Sequence, residues 1–349
     1  MKSVIFRNQP NIRISVNSLE FMNLRIVSFV VSVVLAMFSN SLIAQNLEGV
    51  TGVRDTSYTT ASAFAKDVKN YPHIKLVKEF DFETVKKESD LTYCTLGKRE
   101  LKLDVFQPKI KSTTLRTAVI IIHGGGWRSG NRTQHYPLAQ QLANKGYVSF
   151  TPEYRLSTEA LFPSAVYDLK AVIRWVRKNA NKYSVDSEKI VVSGFSAGGE
   201  LAAFLGTTAN KLLFENDNCN SGISSHVNAI IDLDGTLSFV HPESGEGDDS
   251  KRTSAATHWF GYSKAENPGI WKQASPLTYV NEKTPPTLFI NSSVARMHAG
   301  REDYINILRS NSIYSEVISF ETAPHSFVLY TPWFEPTVKG IDNFLKMVL

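Results

Sequence analysis

Regular alternation of apolar and polar residues first appears in KRELKLDVFQP (98–108). A period of two is typical of a strand with one buried face and one face in solvent. The next apolar segment, AVIIIH (118–123), is continuous instead, as expected for a strand that is covered on both faces. The pattern therefore predicts a half-buried antiparallel strand followed by a fully buried one.

Beyond this point, predicted strands alternate with predicted helices. The strands are YVSFTPEY (147–154), KIVVSGF (189–195), VNAIIDLDG (227–235), PTLFINSS (286–293) and SEVISFE (315–321). The helices are YPLAQQLANKG (136–146), SAVYDLKAVIRWVRKNA (164–180), AGGELAAFLGTT (197–208), EDYINILRS (302–310) and FEPTVKGIDNFLKMVL (334–349). This alternation predicts an α/β fold with a mostly parallel sheet and helices on both faces. In such sheets, functional groups gather at the carboxyl ends of the strands.

One long segment interrupts the alternation. Residues 240–280 lie between two predicted strands and are too many for a plain connection in a compact domain. Four large aromatic residues favour a packed, cap-like insertion over a disordered excursion: Trp259, Phe260, Tyr262 and Trp271.

The N-terminal segment has the layout of a secretory signal peptide. Arg25 precedes an apolar stretch that is too short to span a bilayer comfortably, and Ala44 is a small residue at its end. We expect a signal peptide over 1–44, with translation starting at Met1 or Met22. The mature protein would then be secreted or periplasmic, without a stable membrane anchor.

Composition limits the domain count and the classes of function. The 349 residues are 42% hydrophobic and 20% charged, as in an ordinary globular protein. The pattern above predicts one catalytic domain over 91–349, after an N-terminal extension over 45–90. The net charge of +5 is modest and no basic cluster is interleaved with aromatics, which argues against a nucleic-acid partner. The spacing of Cys94 and Cys219 leaves open whether they form a disulfide.

GFSAG (194–198) matches the G-x-S-x-G pattern of a nucleophile elbow. In that motif, a sharp turn between a strand and a helix holds the serine side chain above the sheet, and small neighbours relieve the crowding. Five residues alone are a weak signal, because Gly and Ser are common. Here they follow a predicted strand and open a predicted helix, so the context predicts that Ser196 is a nucleophile.

HGGGW (123–127) places three glycines at the end of the predicted buried strand. Consecutive glycines let a backbone approach a ligand closely and adopt unusual dihedral angles. We expect the N–H groups of Gly125, Gly126 and Ala197 to bind the oxyanion of a tetrahedral intermediate, at about 3–4 kcal/mol per donor. A phosphate loop is the alternative, but the Lys-[ST] ending of a P-loop is missing. His123 is expected to brace the loop.

APHSF (323–327) supplies a histidine between the last predicted strand and the final helix. A base at this chain position completes the order Ser, acid, His that accompanies a nucleophile elbow. With the two upstream motifs, His325 is the predicted general base.

Taken together, the motifs resemble those of α/β-hydrolases of the acetyl esterase/lipase group, which includes hormone-sensitive-lipase-like esterases and bacterial feruloyl and acetyl-xylan esterases. The similar segments keep the group's order from about residue 90 to the end: HGGGW, EYRL (153–156), FPSAVYDLKAVIRWV (162–176), GFSAGG (194–199), ASPLTYV (274–280), PPTLFI (285–290) and APHSF. The resemblance implies an α/β-hydrolase fold and a Ser/His/acid esterase for small acyl groups. No metal or organic cofactor is expected.

The acid is the triad member that the sequence specifies least. In the resembled group, an Asp follows the strand that corresponds to PTLFI. In this chain, the corresponding position falls near Ala295 and Arg296, and neither residue is an acid. The first carboxylates after that strand are Glu302 and Asp303, where a helix dipole also favours acidic residues. We expect Asp303 to be the acid, with Glu302 next. Asp234, after the preceding strand, is the other candidate, since a different strand end can supply the acid.

Four residues near the predicted site are candidates for binding the substrate: Trp127, Arg296, His298 and Arg301. The three basic residues could hydrogen-bond sugar hydroxyls or a uronate carboxylate, or simply carry solvated charges on a surface loop. Glu200, directly after the glycine pair of the elbow, either tunes the pocket or caps the helix.

The residues therefore predict an exported serine carboxylesterase that removes small acyl groups, first of all acetyl, from polysaccharide or oligosaccharide esters. Ser196 would attack the ester carbonyl while His325 takes its proton. The alternatives are a feruloyl esterase, a prolyl-oligopeptidase-type hydrolase and a non-catalytic glycan-binding relative. The short lead-in argues against the peptidase, and the displaced acid keeps the binding role open. The oligomeric state is left open.

Overall fold

The strands and helices follow the predicted alternation closely. The computed structural model describes residues 45–110, 112–209, 211–216 and 219–349. The expected signal peptide, with both candidate start sites, lies outside the described residues.

In the described residues, the strands are β1 (Lys75–Leu76), β2 (Val85–Leu96), β3 (Arg99–Pro108), β4 (Arg116–Ile122), β5 (Val148–Pro152), β6 (Val185–Phe195), β7 (Ala229–Leu233), β8 (Thr287–Asn291), β9 (Ser315–Ser319) and β10 (Tyr330–Thr331). The α-helices are α1 (Thr60–Asp67), α2 (Tyr136–Asn144), α3 (Ser164–Lys178), α4 (Ala180–Tyr183), α5 (Ala197–Thr207), α6 (Ala255–Phe260), α7 (Pro268–Gln273), α8 (Arg301–Ser310) and α9 (Phe334–Val348). Short 3₁₀ helices span Arg132–His135, Leu212–Phe214, Pro276–Tyr279, Ala295–His298 and Phe327–Leu329.

Eight strands form one mixed sheet in the order β2-β3-β5-β4-β6-β7-β8-β9. The pairs β2–β3 and β3–β5 are antiparallel, and the remaining pairs are parallel. Gly194 on β6 is level with Ile122 on β4 and with Asp232 on β7. The carboxyl ends of these three strands therefore lie side by side, and the residues that follow them meet at one edge of the sheet.

The continuous apolar run in β4 explains why this strand lies in the middle of the sheet. Ala118, Ile120 and Ile122 pack into the core on one face, with α3 and α5. Val119 and Ile121 pack into the core on the other face, with α2 and α9. All five side chains are buried, so the predicted α/β-hydrolase fold, a mostly parallel sheet with helices on both faces, is confirmed.

The N-terminal extension is joined to the catalytic domain. Its expected end at residue 90 falls inside β2, and Gln45–Leu349 form one compact unit. β1 pairs with β10, and the Arg54 guanidinium forms an ion pair with the buried Glu153 carboxylate. The boundary between residues 90 and 91 therefore does not separate two structural units.

The segment between β7 and β8 forms a packed insertion. Trp259 and Phe260 on α6 and Trp271 on α7 are fully buried, and their rings contact one another and Phe239. This burial agrees with the insertion expected from the aromatic residues.

A disulfide joins Cys94 on β2 to Cys219, with the two Cα atoms 5.6 Å apart. The pairing that the sequence left open is therefore present in the structure. Across the described ranges, no helix has both the length and the apolar content that a membrane span requires.

Candidate active site

Ser196 lies at the turn between β6 and α5. Its φ of 57° and ψ of −121° are unusual for a residue with a side chain. Two flanking glycines make room for the turn. A Cβ on Gly194 would lie 1.9 Å from the carbonyl oxygen of Gly198, and a Cβ on Gly198 would lie 2.2 Å from that of Ile122. Only glycine fits at either position, which explains the G-x-S-x-G spacing.

His325 links the serine to a carboxylate. Its Nε2 lies 2.9 Å from Oγ of Ser196, and its Nδ1 lies 2.7 Å from Oδ2 of Asp234. A carboxylate can only accept a hydrogen bond, so Nδ1 carries the proton and Nε2 is free to accept the hydroxyl proton of Ser196. Ser196 and Asp234, at the two ends of this series of hydrogen bonds, follow the neighbouring strands β6 and β7.

Asp234 is held by Ser292, the residue that directly follows β8. Its side chain is fully buried. The N–H of Ser292 donates to Oδ1 at 3.0 Å, and the Ser292 hydroxyl donates to Oδ2 at 2.5 Å. These donors compensate a buried carboxylate for the water that it has lost. Ser292 was not among the residues predicted for the site.

The expected acid, Asp303, does not reach His325. Its carboxylate is exposed on the first turn of α8 and lies 3.4 Å from Nε2 of His241. Glu302 is also exposed and forms an ion pair with Arg301. Both are first-turn carboxylates that complement the helix dipole. Of the three candidate acids, only Asp234 contacts His325.

The glycine loop lies at the carboxyl end of β4. Gly125 and Gly126 have φ values of 123° and 60°, a region that glycine adopts without strain. The N–H of Ser129 donates to the carbonyl of Gly125, and the N–H of Gly124 donates to Gln134. Ala197 is the first residue of α5, where backbone N–H groups have no intrahelical partner.

His123 lies beneath the loop. It is buried, its ring stacks on that of Tyr154, and its Nδ1 lies 2.8 Å from the carbonyl oxygen of Gly124. Burial lowers the pKa of His123 to about 3, so the ring stays neutral. A neutral, buried imidazole of this kind supports the loop and is not placed to exchange protons with a ligand.

Trp127 is buried, although the sequence made it a candidate for contacting substrate. Its indole N–H donates to Oε2 of Glu200 at 2.8 Å, and its ring stacks on Trp259 at 4.8 Å. Glu200 is fully buried as well and does not cap α5. Trp127 therefore belongs to the packing that supports the glycine loop.

Two cavities are lined by the basic residues that the sequence singled out. The larger, of about 940 Å³, is lined by polar and charged residues that include Arg128, Arg252 and Arg296. It adjoins the loop, because a Cβ on Gly126 would come within 3.0 Å of Cβ of Ala255, another lining residue. The smaller, of about 310 Å³, is also lined by Arg296.

The other two basic candidates line the smaller cavity. His298 is half-buried, and burial lowers its pKa against the opposing effect of Asp234. The guanidinium of Arg301 donates to Oδ1 of Asn291 at 2.7 Å and is held in place by this contact. Among the described residues, no three His, Cys, Asp or Glu side chains gather as metal ligands would.

Comparison with protein families identifies one matching family model, which is described as BD-FAE and covers residues 103–299, more than half of the chain. The esterase LipC of Mycobacterium tuberculosis is 30% identical over 195 residues, which are 55% of this chain and 47% of LipC. The chain thus spans about half the length of this relative.

Solved structures show the same fold. A truncated carbohydrate esterase from gut microbiota superposes with a TM-score of 0.63 at 24% identity, over 77% of this chain and 100% of that one. The thermophilic esterase Est2 of Thermogutta terrifontis, with butyrate bound, superposes with a TM-score of 0.62 at 25% identity, over 76% and 95% of the two chains.

Proposed function

This chain belongs to the BD-FAE family of α/β-hydrolases, and we propose that it is an exported serine carboxylesterase that removes small acyl groups, first of all acetyl, from glycan esters. The observation that carries the proposal is the chain of hydrogen bonds from Ser196 through His325 to Asp234. Three groups from separate strand ends meet in the geometry that activates a serine hydroxyl.

In the proposed reaction, Oγ of Ser196 attacks the ester carbonyl while its proton moves to Nε2 of His325. The carbonyl oxygen becomes an oxyanion that accepts hydrogen bonds from the N–H groups of Gly125, Gly126 and Ala197. The tetrahedral intermediate collapses, the ester C–O bond breaks, and the His325 proton passes to the leaving alcohol. Asp234 keeps the imidazole oriented and stabilises its protonated form.

Water completes the cycle. It attacks the acyl group on Ser196, gives a proton to His325 and forms a second oxyanion. Collapse breaks the bond to Oγ, which takes the proton back, and a carboxylic acid leaves. One ester and one water thus yield one acid and one alcohol. The chemistry uses only side chains and backbone N–H groups of this chain.

Two features support the substrate class. Est2, a structural relative, holds butyrate, which favours a short acyl chain. The larger cavity beside the glycine loop is lined by Arg128, Arg252, Arg296, Glu246 and Asp248. Such polar walls suit a hydroxyl-rich or carboxylate-bearing alcohol group, and the volume lies within the usual range for ligand sites.

Release of acid from defined polymers tests this function. Protein starting at Gln45 is incubated with acetylated xylan, acetylated pectin and a feruloylated arabinoxylan, with Ser196→Ala as the control. We expect acetate from at least one acetylated polymer and none with the variant. Preference for pectin, whose backbone carries carboxylates, would assign the cavity arginines to uronate binding. Ferulate release alone would replace the acetyl assignment.

A binding-only role predicts a different result. A fluorophosphonate reacts with an activated serine whether or not the correct ester is known. Labelling of Ser196 that is lost in His325→Ala supports the esterase. Unlabelled protein that binds a glycan would instead make the chain a glycan-binding relative.

Export is part of the proposal. The N-terminal 44 residues have the pattern of a signal peptide, and the Cys94–Cys219 disulfide suits an oxidising compartment. Mass spectrometry of the mature protein from fractionated cells tests this. An N-terminus at Gln45 outside the cytoplasm is expected, and uncleaved cytoplasmic protein would contradict it.

A further inference from the structure

Trp127 joins the glycine loop to three other parts of the fold. It directly follows Gly126 and has a φ of 56°, which costs energy for a residue with a large side chain. Its carbonyl oxygen accepts a hydrogen bond from the N–H of Ser157 at 2.7 Å. Its ring stacks on Trp259 of the insertion, and its indole N–H donates to Glu200 on α5. These contacts hold the C-terminal end of the glycine loop in place.

Glu200 belongs to the same helix as the nucleophile elbow. Its N–H donates to the carbonyl oxygen of Ser196 at 3.0 Å, so its backbone is bonded directly to the elbow. Its side chain is fully buried, and Oε2 accepts the hydrogen bond from Trp127. The Glu200–Trp127 contact is therefore a direct tie between the nucleophile's helix and the glycine loop.

A carboxyl group at this position needs an explanation, because it adds little to stability. A buried acid loses its hydration, and an apolar side chain of similar volume would pack there at no such cost. Oε1 has no hydrogen-bond partner among the described residues. Burial raises the pKa of Glu200 well above its usual value, against the lowering effect of the Trp127 hydrogen bond and with a smaller raising effect from Asp232, which favours the neutral acid. A neutral acid still offers an oxygen to the indole N–H.

We propose that Glu200 is a positioning residue for the oxyanion hole, which acts through Trp127 to hold the N–H groups of Gly125 and Gly126 at a fixed distance from Ser196. The inference rests on the proposed esterase function. Oxyanion donors act only when they lie at the position that the developing charge will occupy, and small displacements are costly in rate. The proposed role therefore affects kcat and leaves substrate binding largely unchanged.

Three single variants and one double variant of the chain from Gln45 test this role with 4-nitrophenyl acetate. Glu200→Met keeps the volume but leaves the indole N–H unpaired. Glu200→Gln keeps a neutral acceptor. Trp127→Phe keeps an aromatic ring but removes the donor. We expect Glu200→Met and Trp127→Phe each to lower kcat by about 10- to 100-fold, with KM within about twofold.

Rescue and non-additivity distinguish positioning from packing. Glu200→Gln should stay within about threefold of wild-type kcat, because it still accepts from Trp127. The double variant Trp127→Phe/Glu200→Met should be no slower than the slower single variant, since both remove the same tie. Thermal unfolding of each variant shows whether the protein tested is folded.

Three results would overturn the inference. They are wild-type kcat in a folded Glu200→Met variant, a Glu200→Gln variant as slow as Glu200→Met, and fully additive losses in the double variant. In all three, the wild type hydrolyses the ester, so the proposed function survives. A wild type that hydrolyses no ester and takes up no fluorophosphonate would overturn both the function and the positioning role.

Discussion

Nδ1 of His325 lies 2.7 Å from Oδ2 of Asp234, a residue 91 positions earlier in the chain. Asp234 directly follows β7, the strand next to the one that carries the nucleophile. The acid expected from the family resemblance would have followed β8, near residues 295–296, where this chain has Ala295 and Arg296 instead. Ser292, which follows β8, contributes to the site by donating two hydrogen bonds to Asp234. The acid thus comes from one strand and its support from the next.

Replacing the acid should remove most of the activity. In Asp234→Asn, the amide N–H can donate a hydrogen bond to Nδ1 of His325, which favours the wrong imidazole tautomer. We expect kcat to fall by about 10⁴-fold, because Nε2 then carries the proton and cannot accept the one from Ser196. Steady-state hydrolysis of 4-nitrophenyl acetate measures it.

Asp303→Asn is the matched control for this change. The carboxylate is exposed and contacts His241 on the surface, so the variant should keep its kcat within about twofold. A large loss in Asp303→Asn, combined with an active Asp234→Asn, would show that the expected acid was right and that Asp234 is structural.

Ser292→Ala should reduce activity to a smaller extent. The variant loses the hydroxyl that donates to Oδ2 of Asp234 but keeps the backbone N–H to Oδ1. One hydrogen bond to a charged group is worth about 1.5–3 kcal/mol, and we expect about a tenfold lower kcat. Ser310→Ala, on the exposed face of α8, serves as the control. Equal kcat in the two variants would mean that Ser292 does not support the acid.

Local motifs explain why Ser196 and His325 could be predicted. Each lies in a short segment whose neighbours have a physical reason to be small or to form a turn, such as Gly194 and Gly198 around the serine. The acid has no such segment, because a single carboxylate after any of several strands could meet the histidine. One signal was available in the sequence: Asp234 directly follows a largely apolar strand and precedes Gly235.

Irregular strands and burial were harder to predict. β2 was missed because its pairing with β3 shifts register between Glu88 and Leu91 and again between Thr92 and Cys94. Such bulges disrupt the period of two on which the strand prediction depends. The burial of Trp127 also could not be predicted, since its partners Glu200 and Trp259 are remote in sequence.

The disulfide should contribute substantially to stability. Cys94 and Cys219 close a loop with a sequence separation of 125 residues, and cross-links of long loops are worth about 2–5 kcal/mol. The double variant Cys94→Ser/Cys219→Ser should lose this amount in denaturant-induced unfolding. Reduced wild type should match the variant, and oxidised wild type should not. Identical unfolding of all three would indicate that the bond does not form in solution.

Buried Glu200 should make stability depend on pH. Its pKa is raised far above the ordinary value of 4.5 in the folded state. Below pH 4.5 the group is protonated in both the folded and the unfolded state and has no effect. Above it, the unfolded chain ionises and the folded chain does not, so the free energy of unfolding falls by about 1.4 kcal/mol per pH unit until the folded group ionises. The side chain of the Glu200→Gln variant does not titrate, so this loss of stability with rising pH is absent from the variant.

The stability of Glu200→Gln relative to wild type should therefore rise as pH increases from 4.5, measured by urea unfolding at several pH values. Asp232 and Tyr154 lie within electrostatic range of Glu200, but both are present in the two proteins, so their own contributions largely cancel in the difference. Glu302→Gln is the control, since its carboxylate is exposed, and its difference from wild type should stay nearly flat. A flat difference for Glu200→Gln as well would mean that the Glu200 carboxyl is ionised in the folded protein, and the neutral acceptor for Trp127 would then be ruled out.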